Sequence, residues 1–308
     1  MKYTNVAEYM QKKSHSIKEW LIAVRPWSFP ASGMPVIAFT AYLMWKGFNP
    51  DWLMALWALA TIIIFHAAGN TWSDYMDFKH EVDNRDSLGC TNITSGTFSP
   101  EEIKRLSLIL MVAGCISGIA MLIMTGLPLL WIGIGGLLCA ILYPAMKYIA
   151  LGDIVIMLAY SILPALGTSF VTTGEFIWEL LWACVPMGLI TVAILHANNI
   201  RDIATDRLAN IKTFAMRIGI VPSIYLYDFE VIVPFVFTLV CAILHIYPFW
   251  SLIVFLTFYP ALKNCKIAHR FKREGREIIS TLDIRTAKLQ LTFGMLFVIS
   301  LLIAAFTA

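Results

Sequence analysis

The feature that most constrains this chain is a set of long runs without a single charged residue. A membrane-spanning helix needs roughly 20 consecutive apolar residues, and five of the seven runs are 20–22 residues long. Only 14% of the residues are charged, against about 25% in soluble proteins. A water-soluble helical core is therefore disfavoured, and we expect an integral membrane protein. The runs are 26–45, 52–73, 106–146, 154–174, 180–200, 231–262 and 289–308.

The two longest runs each predict a pair of helices. Residues 106–146 are interrupted by Gly126-Leu127-Pro128, and residues 231–262 are interrupted near Tyr247-Pro248. We expect the second pair to extend outward to about residues 221 and 268, because its two halves are short for a bilayer. Five single spans and two pairs predict an all-α fold, with nine transmembrane helices in one bundle.

The positive charges predict the orientation of the bundle. Cytoplasmic loops are enriched in Lys and Arg, and all of these residues except Lys46, 22 of 23, fall on one side of nine alternating spans. We expect that side to be cytoplasmic, with the N-terminus on it and the C-terminus outside. The net charge of +3 then reflects orientation and predicts no nucleic-acid partner. The basic segments are the N-terminus, 79–105, 147–153, 201–220 and 263–288.

Residues 1–24 predict an N-terminal segment with an amphipathic surface helix over 15–24. Lys12, Lys13 and Glu19 precede any apolar stretch, which is not typical of a cleavable signal peptide. The remaining residues, 25–308, form the predicted transmembrane domain.

Asparagine and aspartate recur with one spacing at the predicted cytoplasmic ends of two spans. The pattern Asn-x-x-x-Asp occurs twice, 128 residues apart, and suggests two related halves. Residues three or four apart share one helix face, so each group presents its oxygens on one side. The two groups are Asn70, Asp74 and Asp77, and Asn198, Asp202 and Asp206.

These carboxylates predict a divalent-metal site. Like charges at this spacing repel each other, and ionisable residues at a membrane are costly and usually functional. Oxygen ligands suit Mg²⁺, which commonly also binds substrate phosphates. Two facing clusters can therefore hold Mg²⁺ on either side of a diphosphate. The alternative is that the acids are solvated loop residues, and the duplicated spacing disfavours it.

Several residues flank the two clusters. Glu81 lies four residues after Asp77, and either Glu81 or Asp83 would complete the first cluster. His66 and His196 precede the clusters and either form structural hydrogen bonds or support the metal ligands. Cationic side chains can pair with diphosphate oxygens that Mg²⁺ leaves uncovered. The flanking candidates for substrate binding are Arg25, Tyr143, Lys147, Arg201 and Lys212.

These motifs together resemble the UbiA superfamily of intramembrane prenyltransferases. Two Asp-rich motifs and the Tyr143-x-x-x-Lys147 element occur in order on predicted helices 2, 4 and 6. The resemblance extends from about Trp20 to the C-terminus, so that residues 25–308 are expected to be one prenyltransferase domain. Four segments are similar to the branch that acts on 1,4-dihydroxy-2-naphthoate in menaquinone synthesis. They are Arg25-Pro-Trp-Ser-Phe-Pro-Ala-Ser32, Ser73-Asp-Tyr-Met-Asp-Phe-Lys79, Lys147-Tyr-Ile-Ala-Leu-Gly-Asp153 and Asn198-Asn-Ile-Arg-Asp-Ile-Ala-Thr-Asp-Arg207.

The resemblance implies a Mg²⁺-dependent enzyme that transfers a polyprenyl group from polyprenyl diphosphate to an aromatic acceptor. In the naphthoate branch the reaction releases diphosphate and CO₂ and gives a demethylmenaquinone. That branch also implies a bacterial cytoplasmic (inner) membrane with the active site on the cytoplasmic side. The alternatives are another acceptor (4-hydroxybenzoate, homogentisate, haem or a glycerophosphate) and, more remotely, a cation-coupled membrane transporter.

The resemblance also implies roles for individual residues. The four Asp residues of the clusters would be catalytic, Lys147 would contact the diphosphate, and Arg25 or Lys147 would orient the acceptor carboxylate. Two positions depart from the family pattern, since Ser73 stands where Asn is common and Glu81 stands where the last Asp would fall. The implied metal ligands are Asn70, Asp74, Asp77, Glu81, Asn198, Asp202 and Asp206.

Overall fold

The described part of the chain is helical. The computed structural model describes residues 15–82, 92–209 and 211–307, and these ranges contain no β-strand. Asp83 lies outside the described residues. The α-helices are α1 (Ile17–Ala23), α2 (Pro30–Trp45), α3 (Trp52–Lys79), α4 (Pro100–Thr125), α5 (Leu129–Tyr148), α6 (Gly152–Met157), α7 (Leu163–Thr173), α8 (Leu180–Arg201), α9 (Ile203–Leu208), α10 (Phe214–Ile218), α11 (Ile220–Ile243), α12 (Phe258–Glu274) and α13 (Leu282–Thr307).

Seven helical segments of the described chain are long and apolar enough to cross a membrane. One of them contains α6 and α7, which a π-helical turn at Leu158–Ile162 joins into one segment. The prediction of nine spans is therefore met only in part. The seven segments are Trp52–Lys79, Pro100–Thr125, Leu129–Tyr148, Gly152–Thr173, Leu180–Arg201, Ile220–Ile243 and Arg276–Thr307.

The two predicted spans that fall short do so because neighbouring residues fold as 3₁₀ turns. Arg25 has a left-handed backbone (φ 58°) and Pro26–Ser28 forms a 3₁₀ turn, so α2 has only 16 residues. Residues Phe249–Thr257 also form a 3₁₀ helix, which leaves 17 residues for α12. The last turn of α12 is basic, with Lys272 and Arg273, and it lowers the hydropathy of the helix further.

Large apolar side chains face outward from the bundle. On α4, Ile109, Ile116 and Ile123 recur every seven residues and are all exposed. A continuous exposed apolar stripe is unfavourable in water, where each Å² of exposed apolar surface costs roughly 25 cal/mol. The outer surface of the described bundle therefore suits a lipid environment.

The interior core lies between α2, α8, α11 and α13. Helix α13 packs against α2 and α8, and α8 packs against α11. Phe235, Phe293 and Phe297 are fully buried in this core and meet edge to face or at a tilt. These packed helices fix the relative positions of the charged helix ends described below.

Helix α8 comes unusually close to the π-helical turn. A Cβ at Gly188 would lie 2.5 Å from Met157 Sδ and 2.7 Å from Ser161 Oγ. Ser161 Oγ donates to the carbonyl of Cys184 at 2.8 Å. Glycine is therefore required at position 188 for this approach.

Candidate active site

A cavity of about 1050 Å³ joins the two predicted clusters. Along α5 its lining extends from Leu129 at the start of the helix to Lys147 in the last turn, a distance of about 27 Å at 1.5 Å per residue. The cavity thus has a charged end and a long apolar wall. The predicted residues that line it are Arg25, Asn70, Asp77, Tyr143, Lys147, Asn198, Arg201, Asp202 and Asp206.

Asp74 does not line the cavity but holds two residues that do. It lies five residues before the end of α3 and is buried. Its carboxylate pairs with the guanidinium of Arg25 and accepts a hydrogen bond from Asn92 Nδ2 at 3.1 Å. Arg25 and Asn92 both line the cavity. Asp74 therefore positions a cation and an amide at the charged end.

Asp77 connects the end of α3 to the end of α5. Its Oδ1 accepts a hydrogen bond from the Tyr148 hydroxyl at 2.6 Å. Its Oδ2 lies 3.3 Å from Lys147 Nζ and also accepts from Ser73 Oγ at 3.3 Å. The Tyr143-x-x-x-Lys147 element and the first cluster thus meet directly.

Asn70 and His66 hold the connection between α1 and α2 against α3. Asn70 Nδ2 donates to the Val24 carbonyl at 3.1 Å and to Ser28 Oγ at 3.0 Å. The two ring nitrogens of His66 lie 3.2 Å from Ser28 Oγ and 2.8 Å from Ser32 Oγ. Of the two roles left open for His66, the structure shows the hydrogen-bonding one.

The second cluster contacts the segment between α12 and α13 and the first turn of α13. Arg201 donates to both carboxylate oxygens of Asp202 at 3.0 and 2.7 Å, and to Asp283 at 2.9 Å. Arg276 donates to Asp202 Oδ1 at 2.8 Å. Asp202 therefore has two guanidinium partners, one of which it shares with Asp283.

Asp206 differs from the other acids of the site. It is buried on α9, and within the described residues no basic side chain forms an ion pair with it. Burial raises the pKa of Asp206 from 3.8 to about 7, although nearby Lys147 lowers it, while Asp202 and Asp77 raise it further. The influence of Asp77 on Asp206 shows that the two clusters are within electrostatic range. A cation placed among them would relieve this unfavourable charge.

The oxygen donors of this end fit Mg²⁺. Carboxylate and amide oxygens from both clusters line one cavity. Such a donor set suits Mg²⁺ together with phosphate oxygens of a substrate. The buried carboxylate of Asp206, which has no ion pair within the described residues, gives a cation a further partner.

Besides Asp74, the predicted residues Glu81 and Lys212 lie outside the cavity lining. Helix α3 ends at Lys79, and Glu81 is exposed with a left-handed backbone (φ 58°). Glu81 therefore does not share the helix face of Asp77, as its position four residues later would require if it completed the first cluster, because the helix ends two residues earlier. Lys212 is also exposed, and its backbone N–H donates to the carbonyl of Tyr148 at 3.0 Å.

Four residues at this end were not singled out from the sequence. Arg276 and Asp283 belong to the basic segment 263–288, so the predicted orientation places them on the correct side without indicating their contacts. Tyr148 directly follows the Tyr143-x-x-x-Lys147 element, and its role depends on the turn that ends α5. Asn92 reaches Asp74 only through the tertiary fold, and no spacing in the sequence signals that contact.

Comparisons with known proteins identify similar chains. The sequence profile of the UbiA prenyltransferase family matches residues 34–278. UbiA prenyltransferase domain-containing protein 1 of Xenopus tropicalis is 31% identical over 304 residues, covering 95% of this chain and 85% of that protein. The Mus musculus protein of the same name is 32% identical over 298 residues, covering 94% of this chain and 85% of that protein.

Two solved structures share the fold. A UbiA homolog from Archaeoglobus fulgidus, bound to GPP and Mg²⁺, superposes with a TM-score of 0.61 at 15% identity, covering 91% of this chain and 99% of that chain. The apo structure of a UbiA homolog from Aeropyrum pernix K1 superposes with a TM-score of 0.62 at 14% identity, covering 90% of this chain and 98% of that chain. At sequence identities this low, the superpositions show a shared fold and nothing more.

Proposed function

This chain belongs to the UbiA prenyltransferase family, and we propose that it transfers a polyprenyl group from polyprenyl diphosphate to 1,4-dihydroxy-2-naphthoate. The observation that carries the proposal is the cavity, whose charged end is lined by residues of both Asp clusters and by Lys147 and whose apolar wall follows α5. A substrate with a charged head and a long apolar tail matches this shape. Transfer to the naphthoate would release diphosphate and CO₂ and leave a demethylmenaquinone.

We propose Mg²⁺ as the cofactor. The residues that would hold it are the cavity-lining members of the two clusters, namely Asn70, Asp77, Asn198, Asp202 and Asp206. Asp74 would act through Arg25, with which it pairs. When bound, Mg²⁺ neutralises the diphosphate and makes it a better leaving group. The Archaeoglobus structure, which contains GPP and Mg²⁺, supports this assignment.

The side chains of the charged end would bind and orient the diphosphate. Lys147, Arg201 and Arg276 each contact an acid of the clusters, and these cations can turn to diphosphate oxygens when the acids gain a metal. The apolar wall would exclude water from the allylic carbocation that remains when the C–O bond breaks. Tyr143 and Tyr160 line the cavity, and their aromatic faces can stabilise that cation.

The acceptor would approach the same end of the cavity. Arg25 and Lys147 line it, and either can orient a carboxylate by a charge-assisted hydrogen bond. The naphthoate substrate has such a carboxylate on its ring until it leaves as CO₂. The electron-rich ring carbon would then attack the allylic cation.

We further propose that the charged end faces the cytoplasm of a bacterial membrane and that all nine predicted segments cross the bilayer. The ion pairs of Arg25, Lys147, Arg201 and Arg276 gather the basic residues at one end. Lys46 pairs instead with the acid at the start of α8, at the other end of that helix from Arg201. Helix α2 would span about 24 Å of a hydrocarbon core that is about 30 Å thick.

The proposal is tested by a dual-label assay on the purified full chain in lipid vesicles. Tritium in the prenyl group and ¹⁴C in the naphthoate carboxylate should give Mg²⁺-dependent transfer with one ¹⁴CO₂ released per prenyl group. Asp77→Asn and Asp202→Asn should lower the rate on the order of 100-fold or more, as loss of a transition-state charge partner does. Glu179→Gln is the matched control, because Glu179 is an exposed acid far along α8 from the site.

Two results would contradict different parts of the proposal. Full activity of folded, inserted Asp77→Asn and Asp202→Asn proteins would show that the clusters are not the active site. Transfer to 4-hydroxybenzoate or homogentisate without transfer to the naphthoate would leave the site in place and replace the acceptor.

A further inference from the structure

A second group of ionisable side chains lies behind the cavity wall, between α6, α8 and α11. It consists of Asp153, His196 and Glu230. His196 is 0% exposed and Glu230 is 4% exposed. The lining of the cavity includes none of these three residues. The group is therefore a separate feature from the diphosphate site.

The three side chains face one another without satisfying one another. His196 Nδ1 lies 3.3 Å from Glu230 Oε1 and 3.7 Å from Asp153 Oδ2. One ligand atom from each residue lies within 4.8 Å of the other two. Within the described chain, both nitrogens of His196, both carboxylate oxygens of Asp153 and Oε2 of Glu230 have no hydrogen-bond partner. Buried polar groups are rarely left in this state.

The charge of the group depends on its protons. Two carboxylates face one imidazole, so with both acids ionised the group keeps one negative charge even when His196 is protonated. No Lys or Arg of the described chain forms an ion pair with Asp153 or Glu230. An uncompensated charge at this depth is costly. A divalent cation would satisfy the open ligand atoms and the charge together.

We propose that Asp153, His196 and Glu230 bind a first-row divalent cation, for which Zn²⁺ is the best match. Tetrahedral ligands about 2.0–2.1 Å from zinc lie roughly 3.3 Å apart. The His196 distances of 3.3 and 3.7 Å are close to that separation. One imidazole with two carboxylates is a ligand set that zinc accepts, whereas Mg²⁺ prefers oxygen ligands alone.

A cation at this site would link α6, α8 and α11 next to the second cluster. His196 lies two residues before Asn198 on α8, and Asp153 and Glu230 come from α6 and α11. Phe214 stands edge-on to the His196 ring, at 6.2 Å between centroids, and shields it on another side. A bound cation would therefore hold the end of α8 that carries Asn198 and Asp202.

Zinc binding to the purified full chain tests the proposal. The protein is stripped with a chelator, given excess Mg²⁺ for the diphosphate site, and titrated with Zn²⁺ while bound metal is measured by mass spectrometry and calorimetry. We expect one Zn²⁺ per chain. Glu230→Gln and Asp153→Asn should weaken binding by more than about tenfold, since even a lost outer-shell partner costs 10–100-fold in metal affinity.

Two matched controls locate the ion. Asp228→Asn removes a carboxylate on the same helix as Glu230, where Asp228 pairs with His269, and it should leave zinc binding unchanged. Asp202→Asn should also leave it unchanged. Absence of zinc binding to the wild type, unchanged binding by Glu230→Gln, or loss of binding in Asp228→Asn would each overturn the proposal.

X-ray absorption at the zinc edge of the wild-type protein provides a measurement that does not depend on folding of the variants. The expected spectrum shows one imidazole and oxygen ligands. A sulfur ligand would place the ion at a cysteine and overturn the proposal. Because neither measurement uses prenyl transfer, failure of the zinc site and failure of the proposed reaction are distinguishable.

Discussion

The substitution Asp206→Asn separates the effect of this carboxylate on folding stability from its proposed role in binding metal. Burial raises the pKa of Asp206 from 3.8 in an exposed carboxyl to about 7 in the folded, metal-free chain. Between these two values the folded state binds a proton that the unfolded state has released. Stability is therefore highest below about pH 3.8 and falls as the pH rises through 7. An amide of the same shape has no such pH dependence.

The size of the effect follows from the two pKa values. Each pH unit between them is worth about 1.4 kcal/mol, so the ionised form costs at most about 4 kcal/mol at pH 8. At pH 5, only about 1.2 units above the pKa of the unfolded carboxyl, the same linkage gives about 2 kcal/mol. The advantage of Asp206→Asn over the wild type in the absence of metal should thus be about twice as large at pH 8 as at pH 5.

Thermal unfolding of the detergent-solubilised protein measures this difference. With a chelator present, Asp206→Asn should unfold at a higher temperature than the wild type, and by a larger margin at pH 8. Addition of Mg²⁺ and a non-hydrolysable prenyl diphosphate analogue should stabilise the wild type far more than the variant, because only the carboxylate is a strong ligand. A variant that is less stable than the wild type at pH 8 without metal, or a margin independent of pH, would refute the reasoning.

Two further substitutions test the packing and the charged end. Gly188→Ala should destabilise the protein by about 1–3 kcal/mol through overpacking against Met157. The control Gly133→Ala, which has open space at its Cβ, should unfold at the wild-type temperature. Equal losses of stability in the two variants would contradict the packing argument. Lys147→Met should raise the KM for polyprenyl diphosphate by about tenfold or more, since a hydrogen bond to a charged group is worth about 1.5–3 kcal/mol. Lys104→Met, on the exposed start of α4, should leave that KM unchanged, and a rise in the acceptor KM alone would contradict the diphosphate role.

The sequence predicts the helical segments and the two clusters because both depend on residues that are close together along the chain. Charge-free runs position the helices, and the spacing from Asn70 to Asp74 and from Asn198 to Asp202 places each pair on one face. The limits of α2 could not be predicted in the same way. They depend on the left-handed backbone of Arg25, and neutral composition continues unchanged across that turn.

Contacts between distant segments were beyond sequence reasoning. Asn92 donates to Asp74, and Arg276 donates to Asp202 from 74 positions away. The positive-inside pattern places Arg276 on the correct side, but loops of that side contain many basic residues, and only the packed fold selects one of them. The group around His196 escaped for the same reason, since its three members lie on three helices with no shared spacing.

The ion pairs of the charged end explain how its acids coexist without metal. A buried acid is stable only when a counter-charge compensates for lost hydration, and three of the four cluster acids have one. The pairs are Arg25–Asp74, Lys147–Asp77 and Arg276–Asp202. In the proposed reaction, a diphosphate with Mg²⁺ brings anions for the bases and cations for the acids. Binding then exchanges partners instead of burying new charge, and Asp206, which has no ion-pair partner among the described residues, gains the most from it.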